Sequence, residues 1–205
     1  MKNFHIVSFA IVVVATSVCS SASAQSGKPT QAEIVLKASF KERGQAKLDR
    51  LDQDETQRLC SQYPEKRPKD IEKKIEALNL KAIKYPADGK LLGDWKEGEK
   101  IAQSGVGKQF SDNPANPSGA NCYACHQLSK EEISFGNIGP SLYNFGKLRG
   151  FNDATQKYAY GKIYNANAYS ACSNMPRFGH NDILTEQQIK HVTALLTDPE
   201  SPVNK

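Results

Sequence analysis

Beyond residue 18, the 205-residue sequence has no apolar run near the roughly 20 residues needed to cross a bilayer. It also lacks a basic tract. The 27 Lys and Arg residues exceed the 22 Asp and Glu by five and are spread along the chain, which excludes the charged face of a nucleic-acid binder. Five cysteines are too few for a disulfide-dense toxin. With 39% apolar and 24% charged residues, the composition excludes a disordered chain, a collagen and a coiled-coil fibre. No internal repeat is present, and no stretch alternates long enough to make a convincing strand. Methionine is scarce, with two in the whole sequence.

The N-terminus reads as an export signal. Lys2 supplies the positive start, Phe4 to Val18 is largely apolar, and Ala22-Ser23-Ala24 is a small-x-small cleavage site. Removal of residues 1–24 predicts a mature chain starting at Gln25, exported to the periplasm without a membrane anchor. Cys19 follows Thr16-Ser17-Val18, a poor lipobox because Val18 stands where a small residue is expected. The mature chain keeps Cys60, Cys122, Cys125 and Cys172, the histidines His126, His180 and His191, and a single methionine, Met175. Export puts these thiols in an oxidising compartment.

Two regions follow. Residues 25–92 are polar and lysine-rich but keep helical rhythm. Ile71, Ile75, Leu78 and Ala82 share one helix face, with Asp70 near its start and Lys81 and Lys84 near its end. Pro86 and Gly89 then break the chain. An earlier helix is expected around residues 31–44, with Ile34, Val35 and Ala38 on its apolar side. This N-terminal helical extension carries no chemical cluster, so packing or partner binding is its expected role. Residues 93–205 open with a short amphipathic helix bearing Trp95, Gly98, Ile101 and Ala102. Gly98 lies mid-face, where the missing side chain lets another helix approach. They end with a second helix bearing Ile189, Val192, Leu195 and Leu196. Thr185 and Gln188 form a capping box at its start, and Asp198-Pro199 ends it. The fold class is therefore all-α. The Gly-, Asn- and Pro-rich loops between these helices leave a core that needs something else to fill it.

That filler is indicated by Cys122-Tyr123-Ala124-Cys125-His126. C-x-x-C-H is the attachment signature of c-type haem. Two cysteines three apart on a helical turn put both sulfurs along one porphyrin edge, where they bond covalently, and the next histidine faces the iron. At this composition a chance match is expected only about 0.002 times. A redox dithiol would need a βαβ context, and a zinc site would need a second ligand pair; neither is present. One motif predicts one haem c. Met175, stiffened by Pro176 in a polar loop, is the expected second axial ligand, with His180 its competitor. His191 falls off the apolar face of the last helix, an ordinary solvated position. A thioether raises the reduction potential and suits electron transfer. Gly139-Pro140-Ser141-Leu142 is expected to lie on the proximal side, with the Pro140 carbonyl accepting the ring N–H of His126. Cys60 and Cys172 either form a disulfide tying the extension to the haem domain or leave Cys172 as a reactive thiol near the haem.

The core resembles a class I cytochrome c. Met175-Pro176-Arg177-Phe178-Gly179-His180, Ile183-Leu184-Thr185-Glu186-Gln187-Gln188-Ile189 and the ending Asp198-Pro199-Glu200-Ser201-Pro202-Val203-Asn204 are similar to the SoxX family, the monohaem subunits of a sulfur-oxidation complex. The likeness covers residues 93–204 and leaves the extension outside. It implies a class I cytochrome c fold and a SoxA-type haem subunit as partner. The implied reaction joins thiosulfate to a cysteine of the carrier protein SoxYZ. The haem of the SoxA-type subunit is its site, and this chain passes the electrons to a soluble acceptor cytochrome. It also implies Cys122 and Cys125 as haem attachments and His126 and Met175 as axial ligands.

Overall fold

The computed structural model describes residues 30–205. The described residues contain helices and no β-strand; the one β-bridge joins Arg43 and Ala46. Helix α1, Gln31–Ser39, buries no side chain. It begins where Thr30 and Glu33 exchange hydrogen bonds: the Glu33 carboxylate accepts the Thr30 N–H at 2.6 Å, and Thr30 Oγ1 accepts the Glu33 N–H at 3.2 Å. It ends at Ser39, short of the expected 31–44; the chain instead makes a tight turn in which Arg43 and Ala46 exchange backbone hydrogen bonds around Gly44, at φ +53°.

Residues 39–205 form one compact unit. Its helices are α2 (Glu55–Gln62), α3 (Lys69–Lys81), α4 (Trp95–Gln103), α5 (Phe145–Arg149), α6 (Asp153–Tyr164) and α7 (Glu186–Thr197). The central pair is α4 on α7. Ile189, Val192, Leu195 and Leu196 of α7 are buried, and each such side chain is worth about 1.5–3 kcal/mol relative to exposure. Thr185 and Gln188 form the expected capping box.

Gly98 lets the two helices meet. A β-carbon there would run into the backbone carbonyl of His191 and come within 3.0 Å of Leu195 Cβ. Gly98→Ala gains about 1 kcal/mol of helix propensity. Overpacking against rigid backbone costs about 1–3 kcal/mol. The clash wins, so the variant unfolds at lower denaturant concentration than the parent; an unchanged or higher midpoint would show that the pair can slide apart.

In α3 the buried face is Ile75 and Asn79, while Leu78 is 38% exposed. The apolar face expected from spacing is thus rotated toward Asn79. Its amide is buried because it is satisfied: Nδ2 donates to Thr56 Oγ1 of α2 at 2.8 Å, and Oδ1 accepts from Asn165 Nδ2, at the end of α6, at 2.9 Å. This polar chain, with fully buried Ile75, seats α2 and α3 on the turn at Ala166–Ala168 that follows α6. A disulfide between Cys60 of α2 and Cys172 adds a covalent tie across 112 residues. On the chain-entropy account a loop of that size is worth about 4–5 kcal/mol.

The C-terminal segment folds back on α7. Ser201 Oγ donates to the Leu195 carbonyl. Asn204 Nδ2 donates to the Leu196 and Asp198 carbonyls at 3.1 and 2.8 Å, and its Oδ1 accepts the Gly146 N–H of α5 at 2.9 Å. One buried amide therefore closes the end of α7 and the start of α5.

Candidate haem site

The C-x-x-C-H segment is a single helical turn. Cys125 N–H and His126 N–H both donate to the Cys122 carbonyl, at 3.1 and 2.9 Å. The turn is entered through Asn121, at φ +46°, whose N–H donates to the carbonyl of Ser104 at the end of α4. The next N–H upstream, of Ala120, donates to Ile101 in α4 at 2.9 Å. Helix α4 thus fixes where the motif begins.

Residues 136–142 wrap the other side. Gly136, Gly139 and Leu142 each donate a backbone N–H at 2.8 Å, to Tyr123, Cys125 and Gln127 respectively. Gly139 lies flat on the His126 ring; a β-carbon there would collide with the ring atoms. His126 Nδ1 is 2.7 Å from the Pro140 carbonyl, the contact expected from the sequence. A carbonyl only accepts, so Nδ1 carries the proton and the Nε2 lone pair is left free. No hydrogen bond involves Nε2 among the described residues. That is the tautomer and orientation a metal-binding imidazole needs.

The four described cysteines divide cleanly. Cys60 and Cys172 are bonded to each other, while Cys122 and Cys125 are free thiols on the motif turn. Burial pushes the Cys122 thiol up to about 12, so it is held protonated at neutral pH. Ile101, Ala120, Cys122, Leu142, Met175 and Ile183 are half-buried and pack against the hydrophobic core. A free imidazole nitrogen next to two unpaired thiols on one turn, packed against a half-covered apolar core, fits a covalently attached haem. A groove of about 530 Å³ beside Tyr123 and Ala124 is lined by neither His126 nor Met175 and lies outside that constellation.

Two further histidines are among the described residues. His191 Nδ1 accepts the N–H of Asp94, the N-cap of α4, at 2.8 Å, so the residue expected to be solvated is a helix-start acceptor between α7 and α4. His180 Nε2 lies 3.7 Å from Asp54. Burial, reinforced by the Arg177 charge, pulls its pKa below the ordinary histidine value, so it is neutral at pH 7. The Asp54–Arg177–His180 group was not read from the sequence, since Asp54 lies more than a hundred residues before the other two. Burial pushes the Asp54 carboxyl up, but the Gln57 N–H and the Arg177 guanidinium more than offset this and leave it below the usual aspartate range.

The fold and this constellation define a helical haem protein. Residues 96–198 match the family model described as cytochrome c. A protein of Aquifex aeolicus (strain VF5), described as an uncharacterized lipoprotein, is 32% identical over 206 residues, covering 96% of this chain and 97% of that one. The chain belongs to the cytochrome c family: it is an electron-transfer haem protein with covalently bound haem c. No helix of the described residues is long and apolar enough to cross a membrane.

Proposed function

We propose that Cys122 and Cys125 hold a single haem as thioethers and that His126 and Met175 are its axial ligands. The observation that carries this is the Nδ1–Pro140 hydrogen bond at 2.7 Å, which leaves Nε2 of His126 free beside two unpaired thiols. When bound, the haem supplies a one-electron couple. The chain's own residues set its terms. Pro140 orients the imidazole and raises its basicity. Met175 gives a neutral, soft ligand that favours the reduced state. The engagement of His191 at the start of α4 supports Met175 over that histidine as the second ligand.

Within the family, the chain is read as a SoxX-type subunit. The Met175–His180 run and the Asp198–Asn204 ending support this. In that role residues 93–205 are the cytochrome domain and residues 25–92 its extension. The partner is a SoxA-type haem subunit, which joins thiosulfate to a cysteine of the carrier SoxYZ. This chain takes the released electrons and passes them to a soluble acceptor cytochrome. Residues 1–24 act as a cleaved signal for the periplasm; they lie outside the described residues. The Aquifex relative's description as a lipoprotein favours a second reading, lipid attachment at Cys19. Val18 argues against it, and a mature N-terminus at Gln25 rather than Cys19 separates the two.

The test is the native mass of the haem-containing species, purified through a C-terminal tag from the native host. The SoxX-type reading expects a mass well above one chain, with a second haem protein co-purifying. A stable, haem-loaded single chain contradicts it and indicates a diffusible carrier.

A further inference from the structure

Helix α2 grips the loop that carries Met175 on both sides of that residue. Cys172, three residues before it, is disulfide-bonded to Cys60 of α2, with Cα atoms 5.6 Å apart. Arg177, two residues after it, is only 5% exposed, and its guanidinium lies 2.6 Å from Asp54. Asp54 is the N-cap of α2, and its carboxylate is divided. Oδ1 accepts the Gln57 N–H at 2.8 Å and caps the helix, while Oδ2 holds Arg177.

The loop is tied down at further points. Glu76 of α3 accepts the Ala171 N–H at 3.4 Å, and Asn167 accepts the Ser173 N–H at 2.8 Å. Ser173 Oγ accepts the Met175 N–H at 3.2 Å. Helix α2 is itself braced through Thr56 and Asn79. A thioether is a weak ligand. Its hold against a competing ligand depends on how much of the time the loop presents it, and a restrained loop has less freedom to lose.

We infer that α2 is a positioning element for the iron's sixth ligand: the Cys60–Cys172 disulfide and the Asp54–Arg177 ion pair clamp the loop so that Met175 stays in place. This rests on the proposed ligation by Met175. The extension then acts on the iron site without touching it.

The probe is imidazole titrated into the ferric holoprotein, read by loss of the methionine–iron charge-transfer band. The variant Cys60→Ser with Cys172→Ser is expected to bind imidazole about tenfold more tightly, which corresponds to about 1.4 kcal/mol. Its band should bleach on warming well before the protein unfolds. Asp54→Asn keeps a good helix cap while removing the charge. It should shift affinity the same way by a smaller factor, and it serves where the double variant fails to fold. Parental imidazole affinity in these variants, with the band lost in Met175→Ala, overturns the clamp and leaves the ligand standing. A lowered denaturation midpoint with parental imidazole affinity marks a merely structural role and also overturns it. A band that survives Met175→Ala removes the ligand reading and the clamp with it.

Discussion

Met175→Ala is expected to leave the haem covalently attached and open one face of the iron. On the proposed reading attachment runs through Cys122 and Cys125, which sit on a turn fixed by α4 and by residues 136–142, and neither support involves Met175. What is lost is the one thioether of the described residues. His180, five residues on, lies with Nε2 3.7 Å from Asp54, and replacing Met175 would require it to turn away from that carboxylate. The ferric iron should therefore take imidazole or cyanide readily, and its methionine charge-transfer band should vanish. The reduction potential should fall by on the order of 0.1 V, a modest part of the roughly 0.8 V that axial ligands span. An unchanged ferric spectrum would show that another group occupies that face.

A larger effect is expected at the opposite face. His126→Ala removes the imidazole whose Nδ1 is locked to Pro140 and whose ring packs against Gly139. Of the other described histidines, His191 accepts the Asp94 N–H and His180 lies 3.7 Å from Asp54, so neither stands ready at the motif turn to replace it. Without a proximal ligand the haem is not held beside the two thiols while the bonds form. The exported fraction should lose covalent haem to background levels, measured by peroxidase staining of a denaturing gel. Normal yields of haem-loaded His126→Ala protein would refute the role given to this turn.

Much of the site was legible because it is local. The C-x-x-C-H spacing is carried by five consecutive residues, and the proline fourteen residues after His126 makes the contact expected of it. Gly98 and the Thr185 capping box were readable for the same reason: periodicity and cap chemistry are properties of one segment. What escaped is long-range or lacks periodicity. Helix α6 buries Thr155, Ala159, Tyr160, Gly161, Ile163 and Tyr164, which encircle it, so no single apolar stripe announces it. Helix α2 is eight residues long, too short to show a pattern. Asn79 displaced Leu78 from the buried face of α3 because Thr56 and Asn165 satisfy its amide, and those partners come from other helices. Pairings between Asp54 and Arg177, and the choice of a disulfide between Cys60 and Cys172, depend on how distant segments dock. The two ties from α2 to the residues flanking Met175 therefore emerge only in three dimensions.

The measurement that bears most directly on the central claim is the mass of the exported holoprotein under denaturing conditions, followed by mapping of its peptides. The account predicts the mature chain plus one haem, retained through denaturation and located on the peptide containing Cys122 and Cys125. A chain that sheds its haem on denaturation, carries none, or carries it elsewhere would contradict the assignment.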